Sequence, residues 1–557
     1  MASHISQKDE TVLLGAKRTE FDFGEFDHEN IPLEETNWPV IIIGSSMVGM
    51  TLSILLGYHG QLGLDDEMAK ESASDFDLDA GMLIVDRLIG GNVLARMQEA
   101  DPAYTAEITP CKRLWLTQNM FEPLLRREAH HFGAEQQFGT RIVHYEEQND
   151  GVIVVSQDVA TGKYTKYKTQ YLVACDGNRS ATRRKEGIEW NGPGTFGNNL
   201  SINFQANLTP YLGARAVHGV TYVNNEEISA GFRLEDGGKR GFMIVAKVGN
   251  TDNFEPDSIT EGDARQAFYA ASGLDESFPL EIESVSYWTV AALNAERFSS
   301  EKGRVFLAGD AAHVMPPTGG MGGNTGIQDA YNLAWKLAYV INRKASQSLL
   351  ESYTAERQPA AEQTMKQAFA RLVNRVLRDP SLVHDQELPD DTCELGYLYP
   401  RGAFVFGDTH TTSAVWRDPH VSSAHTTSAV WRDPHVSSAQ VGARLPHVAL
   451  IDKSMGDKSL STLDLVKQNF VLLVGEGLPT WQEAVSALSV QIDVYEISKT
   501  SSPLCDPSGK LHEFYQLRTG EALLIRPDGL ISWRGKVTEE RSKVTILKET
   551  LGQILGG

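Results

Sequence analysis

Short apolar runs that end at glycine or aspartate alternate with stretches of helical periodicity over the first two thirds of the chain. One such run, Val40–Ile43, ends at Gly44, and apolar residues continue from Met50 to Leu56. This order predicts a buried strand, a tight turn and a helix, which together begin a dinucleotide-binding βαβ unit. Gly44 permits the turn and Gly49 permits close packing of the helix on the strand, whereas Ser46 replaces the usual middle glycine.

The second strand of this unit is predicted at Leu83–Val85, and it ends at Asp86 and Arg87. An acid in this place binds a ribose hydroxyl in dinucleotide folds, although Asp86 comes later than the usual separation of about 20 residues. We attribute the excess to residues 61–80, which hold seven acids and one lysine and are predicted to be an inserted, solvated loop. The alternative is that Asp86 caps a helix or a turn.

Residues 304–337 give the strongest indication of a binding site. The apolar run Val305–Ala308 ends at Gly309 and Asp310, a glycine-rich loop follows at 319–323, and helical periodicity then continues to the end of the stretch. A carboxylate accepts hydrogen bonds from sugar-like hydroxyls, glycines let a ligand approach the backbone, and a helix N-terminus adds partial positive charge. These features predict a site for a polar, partly anionic cofactor; the alternative is an ordinary strand–loop–helix junction.

A third apolar run ends at Asp176. In this order and at these distances, the three runs and their loops resemble the flavoprotein aromatic hydroxylases, the single-component FAD monooxygenases of the para-hydroxybenzoate hydroxylase and phenol hydroxylase type. Residues 116–125 are similar to the family's helix whose glutamine, here Gln118, meets the cofactor phosphates, and residues 352–359 are similar to the helix that follows the flavin site. The resemblance covers residues 38–557 and is nearest to the hydroxylases of aromatic polyketides.

This resemblance implies FAD as cofactor, NADPH or NADH as electron donor, and dioxygen as the source of one oxygen atom for a phenolic or polyketide-derived aromatic ring in secondary metabolism. It also implies a wide, apolar substrate pocket with Met315, Pro316 and Pro317 at its floor. No catalytic residue follows from the sequence, and His313 is either functional or simply packed. The alternatives are a Baeyer–Villiger flavin oxygenase on the same scaffold and an impaired flavin-binding protein. The implied flavin contacts are Gly44, Ser45, Ser46, Val48, Gly49, Asp86, Arg87, Gln118, Asp176, Gly177, Gly309, Asp310, Pro317, Gly320, Gly322, Gly323 and Asn324.

The predicted fold class is mixed α/β. A Rossmann-type FAD-binding domain is interleaved with an antiparallel substrate-binding sheet, for which alternating stretches such as 200–204 and 241–248 are typical. The C-terminal part resembles the thioredoxin-like tail of phenol hydroxylases but lacks CxxC; we expect it to serve packing, and a homodimer is left open. The predicted divisions are a flexible extension at 1–36, the FAD-binding domain at 37–191 and 296–385, the substrate sheet at 192–295, a linker at 386–440 and a thioredoxin-like domain at 441–557.

Charge and cysteine content narrow the classes of function. The formal net charge is −22, from 51 basic and 73 acidic residues, which argues against nucleic acid and anionic membranes as partners. The four cysteines show neither CxxC nor metal-binding spacing, so we expect free thiols in a reducing compartment and no metal site. The N-terminus lacks the apolar segment of a secretory signal, and the longest apolar tract is interrupted by glycine and serine. A cytoplasmic chain without a membrane span is therefore predicted.

Two features depart from the family pattern. Residues 410–424 and 425–439 are identical copies of HTTSAVWRDPHVSSA, and their Asp-Pro and Ser-Ser pairs predict a surface linker whose second copy is dispensable. The segment 87–117 between Asp86 and Gln118 is short for the family. This shortening is the basis for the alternative of an impaired enzyme.

Overall fold

The computed structural model describes residues 21–24, 26–58, 63–77, 81–97, 105–213, 217–249, 254–255, 259–377, 379, 381–382, 384–407, 430–436, 439–475, 478–498, 502–517, 520–536 and 542–556. Their strands form three sheets. The strands include β1 (Trp38–Ile43), β2 (Met82–Val85), β3 (Val93–Met97), β4 (Thr140–Glu147), β5 (Val152–Asp158), β6 (Tyr164–Ala174), β7 (Trp190–Gln205), β8 (Val220–Asn224), β9 (Ile228–Glu235), β10 (Arg240–Val248), β11 (Glu281–Ala295), β12 (Val305–Leu307), β13 (His313–Val314), β14 (Ala449–Asp452), β15 (Lys458–Ser461), β16 (Phe470–Val474), β17 (Ile492–Ser498), β18 (Leu504–Cys505), β19 (Glu521–Ile525) and β20 (Ile531–Lys536). The helices include α1 (Met47–Gly57), α2 (Asp65–Asp75), α3 (Gln118–His131), α4 (Ala181–Lys185), α5 (Thr209–Leu212), α6 (Glu261–Ser272), α7 (Met321–Ile341), α8 (Glu351–Leu372), α9 (Asp390–Leu395), α10 (Leu478–Ser486), α11 (Lys510–Tyr515) and α12 (Lys543–Leu555).

A five-stranded sheet brings the three predicted strand ends together. β1 and β12 both run parallel to β6, so that Ile43 and Leu307 each lie beside Ala174. The N–H of Cys175 donates to the carbonyl of Ile43 (2.7 Å), and the N–H of Ala308 donates to the carbonyl of Ala174 (3.0 Å). Because the carboxyl ends of parallel strands meet at one edge, the loops that follow β1, β6 and β12 are neighbours.

β2 belongs to a different sheet from β1. It runs parallel to β8 and antiparallel to β3, so the prediction that residues 83–85 form the second strand of the βαβ unit is wrong. The predicted solvated loop at 61–80 is also wrong over Asp65–Asp75, which form α2. Within the described ranges no strand pairs with the free edge of β1. A short apolar run fits any buried sheet, and its pattern does not specify which one it joins.

The eight-stranded sheet has the order β13-β11-β7-β10-β9-β8-β2-β3 and is antiparallel from β13 to β8. One face packs against α6 through a buried cluster that includes Phe204, Phe232 and Phe268. On the other face, Trp288 shares an apolar cluster with Met315, which follows β13. The predicted mixed α/β fold, with a flavin-type sheet interleaved with an antiparallel sheet, is confirmed.

Two segments predicted to be an extension and a linker are packed where the structure describes them. The ring of Phe23 lies edge-on to Tyr145, with 5.0 Å between the ring centroids, so the extension is not flexible in its described part. Trp431, in the second copy of the repeat, is 9% exposed and pairs with Tyr397, so this part is not a surface linker. Residues 1–20 and the first copy lie outside the described residues.

The C-terminal part forms a seven-stranded sheet with the order β15-β14-β18-β17-β16-β19-β20. It is joined to the rest of the chain through buried polar contacts: Arg526 bonds Glu356 of α8 (2.8 Å), and the hydroxyl of Tyr331 in α7 donates to the carbonyl of Pro527 (3.0 Å). The thioredoxin-like assignment of this part stays a prediction. Among the described residues, no helix combines the length and apolarity needed to cross a membrane, and no cluster of metal-ligating side chains is found.

Candidate functional site

The start of α1 is open to an anion. Ser46 is its N-cap residue, but the side chain makes no capping hydrogen bond; the Oγ donates instead to Oε1 of Glu122 (3.0 Å). The first N–H groups of α1 therefore lack a capping side chain, and they carry the partial positive charge of a helix N-terminus. Such a helix start binds phosphate groups.

Glycines allow the neighbouring loops to approach one another. Gly44 has a φ of +100°, and a Cβ on it would lie 2.2 Å from the carbonyl oxygen of Cys175. A Cβ on Gly49 would lie 2.0 Å from the carbonyl oxygen of Gly44, which confirms the predicted packing role of Gly49. A Cβ on Gly309 would lie 2.9 Å from the side chain of Val48. Larger residues at these positions would push the strand ends apart.

Asp310 lies on a 3₁₀ turn, Gly309–Ala311, directly after β12. Its side chain is exposed, and no hydrogen bond from a described residue reaches the carboxylate. The surrounding protein nevertheless raises the pKa of Asp310, an effect that the nearby His313 partly offsets. Asp310 is therefore available to accept hydrogen bonds from a ligand.

The glycine-rich loop enters α7 at Gly320, which has a φ of +65°. A Cβ on Gly320 would meet nothing within 4 Å, whereas one on Gly323 would lie 2.2 Å from Cε of Met47 in α1. The amide of Asn324 donates to the carbonyl of Gly320 (2.8 Å), and Pro317 is exposed. The loop thus presents bare backbone on one side and faces the start of α1 on the other.

Gln118 is exposed at the beginning of α3. Its Nε2 lies 3.4 Å from Oε1 of Glu122, the same oxygen that accepts from Ser46. The structure therefore brings Gln118 to the start of α1, and its contact with the cofactor phosphates stays a prediction. Glu122 was not predicted; its i+4 spacing from Gln118 on a helix is the signal that could have identified it.

Asp176 lies at the same edge of the sheet, directly after β6. Its Oδ2 accepts hydrogen bonds from the N–H and the hydroxyl of Thr182 (3.1 and 3.0 Å), close to the start of α4. Its Oδ1 is buried with no hydrogen-bond partner among the described residues. A buried acceptor without a donor costs about 1–3 kcal/mol, so this oxygen is a place for a donor from a ligand or from water. Gly177 follows with a φ of +81° and turns the chain.

Asp86 and Arg87 do not belong to this edge. The carboxylate of Asp86 accepts hydrogen bonds from the N–H (2.7 Å) and the side-chain amide (2.8 Å) of Asn92, and these contacts lower its pKa. The side chain of Arg87 lies beside Gly273, which directly follows α6. The prediction for both residues depended on a strand that joins the other sheet, so the structure does not bring Asp86 and Arg87 to the other predicted flavin contacts. The alternative, an aspartate that caps a turn, is what the structure shows.

His313 is fully buried, and its Nε2 lies 2.7 Å from Oδ2 of Asp329. This geometry favours the packed histidine over a functional group that meets substrate. Gly322 lies in the first turn of α7, next to the glycine-rich loop. A Cβ on Gly322 would meet only Met315 among the described residues, at 3.5 Å, so its surroundings are open.

The free face of the eight-stranded sheet adjoins this loop. Trp288, Met315 and Phe369 of α8 share one apolar cluster. The strand registers place Arg233 on the same face as Trp288, with its guanidinium carbon 6.0 Å from the ring centre of Trp115. Its Nε is buried and has no hydrogen-bond partner among the described residues, and burial lowers the pKa of the side chain. Aromatic rings and a half-buried cation thus line the face that meets the cofactor loop.

Two family descriptions match the chain: "FAD binding domain" over residues 61–368 and "Aromatic-ring hydroxylase, C-terminal" over residues 438–557. The chain is 34% identical to the 4-methyl-5-nitrocatechol 5-monooxygenase of Burkholderia sp, over 89% of this chain and 94% of the relative. It is also 34% identical to the tetracenomycin B2 monooxygenase-dioxygenase of Streptomyces olivaceus, over 81% of this chain and 78% of the relative. Among solved structures, aklavinone-11 hydroxylase in complex with FAD and aklavinone matches with a TM-score of 0.80 and 27% identity, over 96% of this chain and 100% of the other.

Proposed function

Because the chain belongs to the FAD-binding aromatic-ring hydroxylases, a family of flavin-dependent monooxygenases, we propose that it hydroxylates a phenolic, polyketide-derived substrate. NADPH or NADH is the proposed electron donor, and dioxygen is the proposed oxygen source. The observation that carries the proposal is the junction of three strand ends, where the uncapped start of α1 lies beside the open carboxylate of Asp310. FAD, when bound, supplies the redox and oxygen chemistry.

The residues at this junction fit the phosphate and sugar-like parts of FAD. The start of α1 offers free N–H groups to the pyrophosphate, and Asp310 offers an acceptor to a cofactor hydroxyl. The N-terminus of α7 adds partial positive charge, which stabilises negative charge on a reduced flavin ring. The residues that we assign to FAD are Gly44, Ser45, Ser46, Val48, Gly49, Gln118, Asp176, Gly177, Gly309, Asp310, Pro317, Gly320, Gly322, Gly323 and Asn324.

Among the described residues, we assign no acidic side chain to the ribose at the adenosine end of FAD. In dinucleotide folds, a strand parallel to the first one ends in an acid that binds the ribose. Within the described ranges, β6 is the only strand beside β1 in the flavin sheet, and Asp86 lies in the other sheet. We therefore expect the start of α1 and Asp310 to supply most of the affinity for FAD.

The free face of the eight-stranded sheet is the proposed substrate site. Trp288 and Met315 supply apolar contacts, and the half-buried guanidinium of Arg233 favours an oxygen acceptor such as a phenolate. Pro317 has no backbone N–H, so it does not attract water to the loop. The names of two similar proteins support a polyketide: one acts on tetracenomycin B2, and the other is bound to aklavinone.

The test is coupled turnover by the purified, FAD-loaded protein. NADPH and NADH oxidation is measured with multi-ring polyketide phenols, with 4-methyl-5-nitrocatechol and with simple benzoates, and the products are analysed by mass and by structure. We expect multi-ring phenols to accelerate oxidation and to gain one oxygen atom on the ring. Coupling with benzoates alone would refute the substrate class, and an oxygen inserted beside a ketone would indicate Baeyer–Villiger chemistry. Flavin reduction that no substrate couples to oxygenation would indicate an impaired enzyme.

A further inference from the structure

We propose that Asp329 is a positioning residue that fixes the loop carrying Asp310 and thereby sets the affinity for FAD. Asp329 lies in α7, and its side chain is fully buried. Its Oδ2 accepts a hydrogen bond from the N–H of Gly309 (3.1 Å), the residue directly before Asp310. The inference rests on the proposed contact between Asp310 and FAD.

Three donors converge on the carboxylate of Asp329. Besides the N–H of Gly309, Nε2 of His313 lies 2.7 Å from Oδ2, and Nε of Arg357 donates to Oδ1 at 2.8 Å. Burial alone would raise the pKa of Asp329, but His313 and Arg357 outweigh it and hold the pKa below its usual value. Asp329 is therefore an anion, and a buried anion persists only when its partners are fixed around it.

Arg357, the ionic partner, is itself held in place. Its Nη1 donates to the hydroxyl of Tyr399 (2.5 Å), and its Nη2 donates to the carbonyl of Thr325 (3.2 Å). Arg357 belongs to α8 and is 1% exposed, whereas Thr325 belongs to α7. Asp329 thus connects the N–H of Gly309 to two long helices through contacts that cannot shift independently.

The cofactor loop needs such an anchor because its own backbone is permissive. Gly309 has a φ of +62°, in a region that glycine enters and leaves at little cost. The hydrogen bond to Asp329 fixes the peptide group between Ala308 and Gly309, from which the chain turns through Gly309 to Asp310. Without the acceptor, the carboxylate of Asp310 would no longer be held opposite the start of α1.

The variant D329L/R357M tests this role. It replaces a buried ion pair by apolar residues, a change that buried pairs often tolerate, and it removes the acceptor of Gly309. The matched control is E356L/K336M. Glu356 and Lys336 are fully buried, with 2.9 Å between Nζ of Lys336 and Oε2 of Glu356. They join the same two helices, and Glu356 directly precedes Arg357. Glu356 contacts Arg526 and Asn332 rather than the cofactor loop. D329N, which keeps the size of the side chain, is measured as a second variant.

FAD affinity is measured by flavin fluorescence quenching, and the melting temperature of each apoprotein is recorded alongside. We expect D329L/R357M to bind FAD about ten-fold more weakly or worse, D329N to lose affinity in the same direction, and the control to stay near the wild-type value. The proposal fails if D329L/R357M and D329N both bind FAD within about two-fold of the wild type, or if the control weakens as much. D310A separates this failure from that of the flavin site. Unchanged affinity in D310A refutes the proposed contact itself, whereas a loss in D310A alone refutes only the role of Asp329.

Discussion

Replacing Gly44 by alanine tests the close approach of the strand ends. A side chain in the left-handed region costs about 1–2 kcal/mol. Here the new Cβ would also lie 2.2 Å from the carbonyl oxygen of Cys175, whereas ordinary contact begins at 3.4 Å. Neither the new Cβ nor the carbonyl oxygen can rotate away, because each is fixed directly to the main chain. β1 and the loop after β6 must therefore separate by about 1 Å, which costs a further ~1–3 kcal/mol. We expect Gly44→Ala to lower the free energy of unfolding by about 2–5 kcal/mol.

Gly177→Ala is the matched control. Gly177 has a φ of +81°, but a Cβ on it would meet nothing within 4 Å, so only the backbone strain of about 1–2 kcal/mol applies. Both apoproteins are unfolded in urea, with tryptophan fluorescence as the signal, and the FAD that remains after dialysis of the Gly44→Ala holoprotein is compared with that of the wild type. Gly44→Ala should also lose FAD, because the start of α1 moves away from Asp310. Equal unfolding free energies for the two variants would refute the collision, and full FAD retention by Gly44→Ala would refute a cofactor role for this turn.

Deleting one copy of the repeat should leave the melting temperature unchanged, because the copies are identical and either deletion yields the same chain; a large decrease would show that both copies are needed. Trp431→Ala removes a buried ring and should lower the free energy of unfolding, measured in urea, by about 3–5 kcal/mol. Trp416→Ala, the same change in the first copy, shows whether the effect is specific to the second copy. Burial alone would raise the pKa of Glu356, but Arg526 and Lys336 lower it below its ordinary value of 4.5. A depressed carboxyl pKa contributes stability above the ordinary value and loses it as the pH falls through the folded pKa. The melting temperature of the wild type should therefore fall more steeply below about pH 4.5 than that of Glu356→Gln, and parallel curves would contradict the buried ion pair. Arg233→Met should raise KM for a phenolic substrate about ten-fold at unchanged FAD content, and an unchanged KM would place the substrate elsewhere.

The strand ends at Gly44, Asp176 and Asp310 could be predicted from the sequence because each follows an apolar run and each is followed by glycine or a helix start. Local patterns of this kind determine where a strand ends. They do not determine which sheet the strand joins, since that depends on contacts distant in sequence. Residues 83–85 illustrate the limit: their apolar pattern correctly predicts a strand, but β8 rather than β1 is its parallel partner.

Two other differences have local causes. The acids Asp65, Asp66 and Glu67 occupy the first turn of α2, where negative charge interacts favourably with the helix dipole. A count of acids over the whole segment does not show that three of them are placed at a helix start. Asp329 was not predicted because an acid within a helix is usually solvated, and only the fold shows that Gly309 and Arg357 surround it. Burial of a single polar residue is a tertiary property that periodicity does not report.

The ion pair between Glu356 and Arg526 has a consequence for how the chain is made. The two residues are 170 positions apart, and at ribosomal rates of about 5–20 residues per second the second follows the first after roughly 10–30 s. During this interval Glu356 and the aromatic surface of Trp335 and Tyr339 lack the C-terminal sheet that covers them. Until translation is almost complete, the flavin-binding part of a nascent chain therefore exposes a charge and apolar rings that are buried in the finished protein, and chaperones can bind them. Stalled or truncated chains should be degraded rather than accumulate as a smaller flavoprotein.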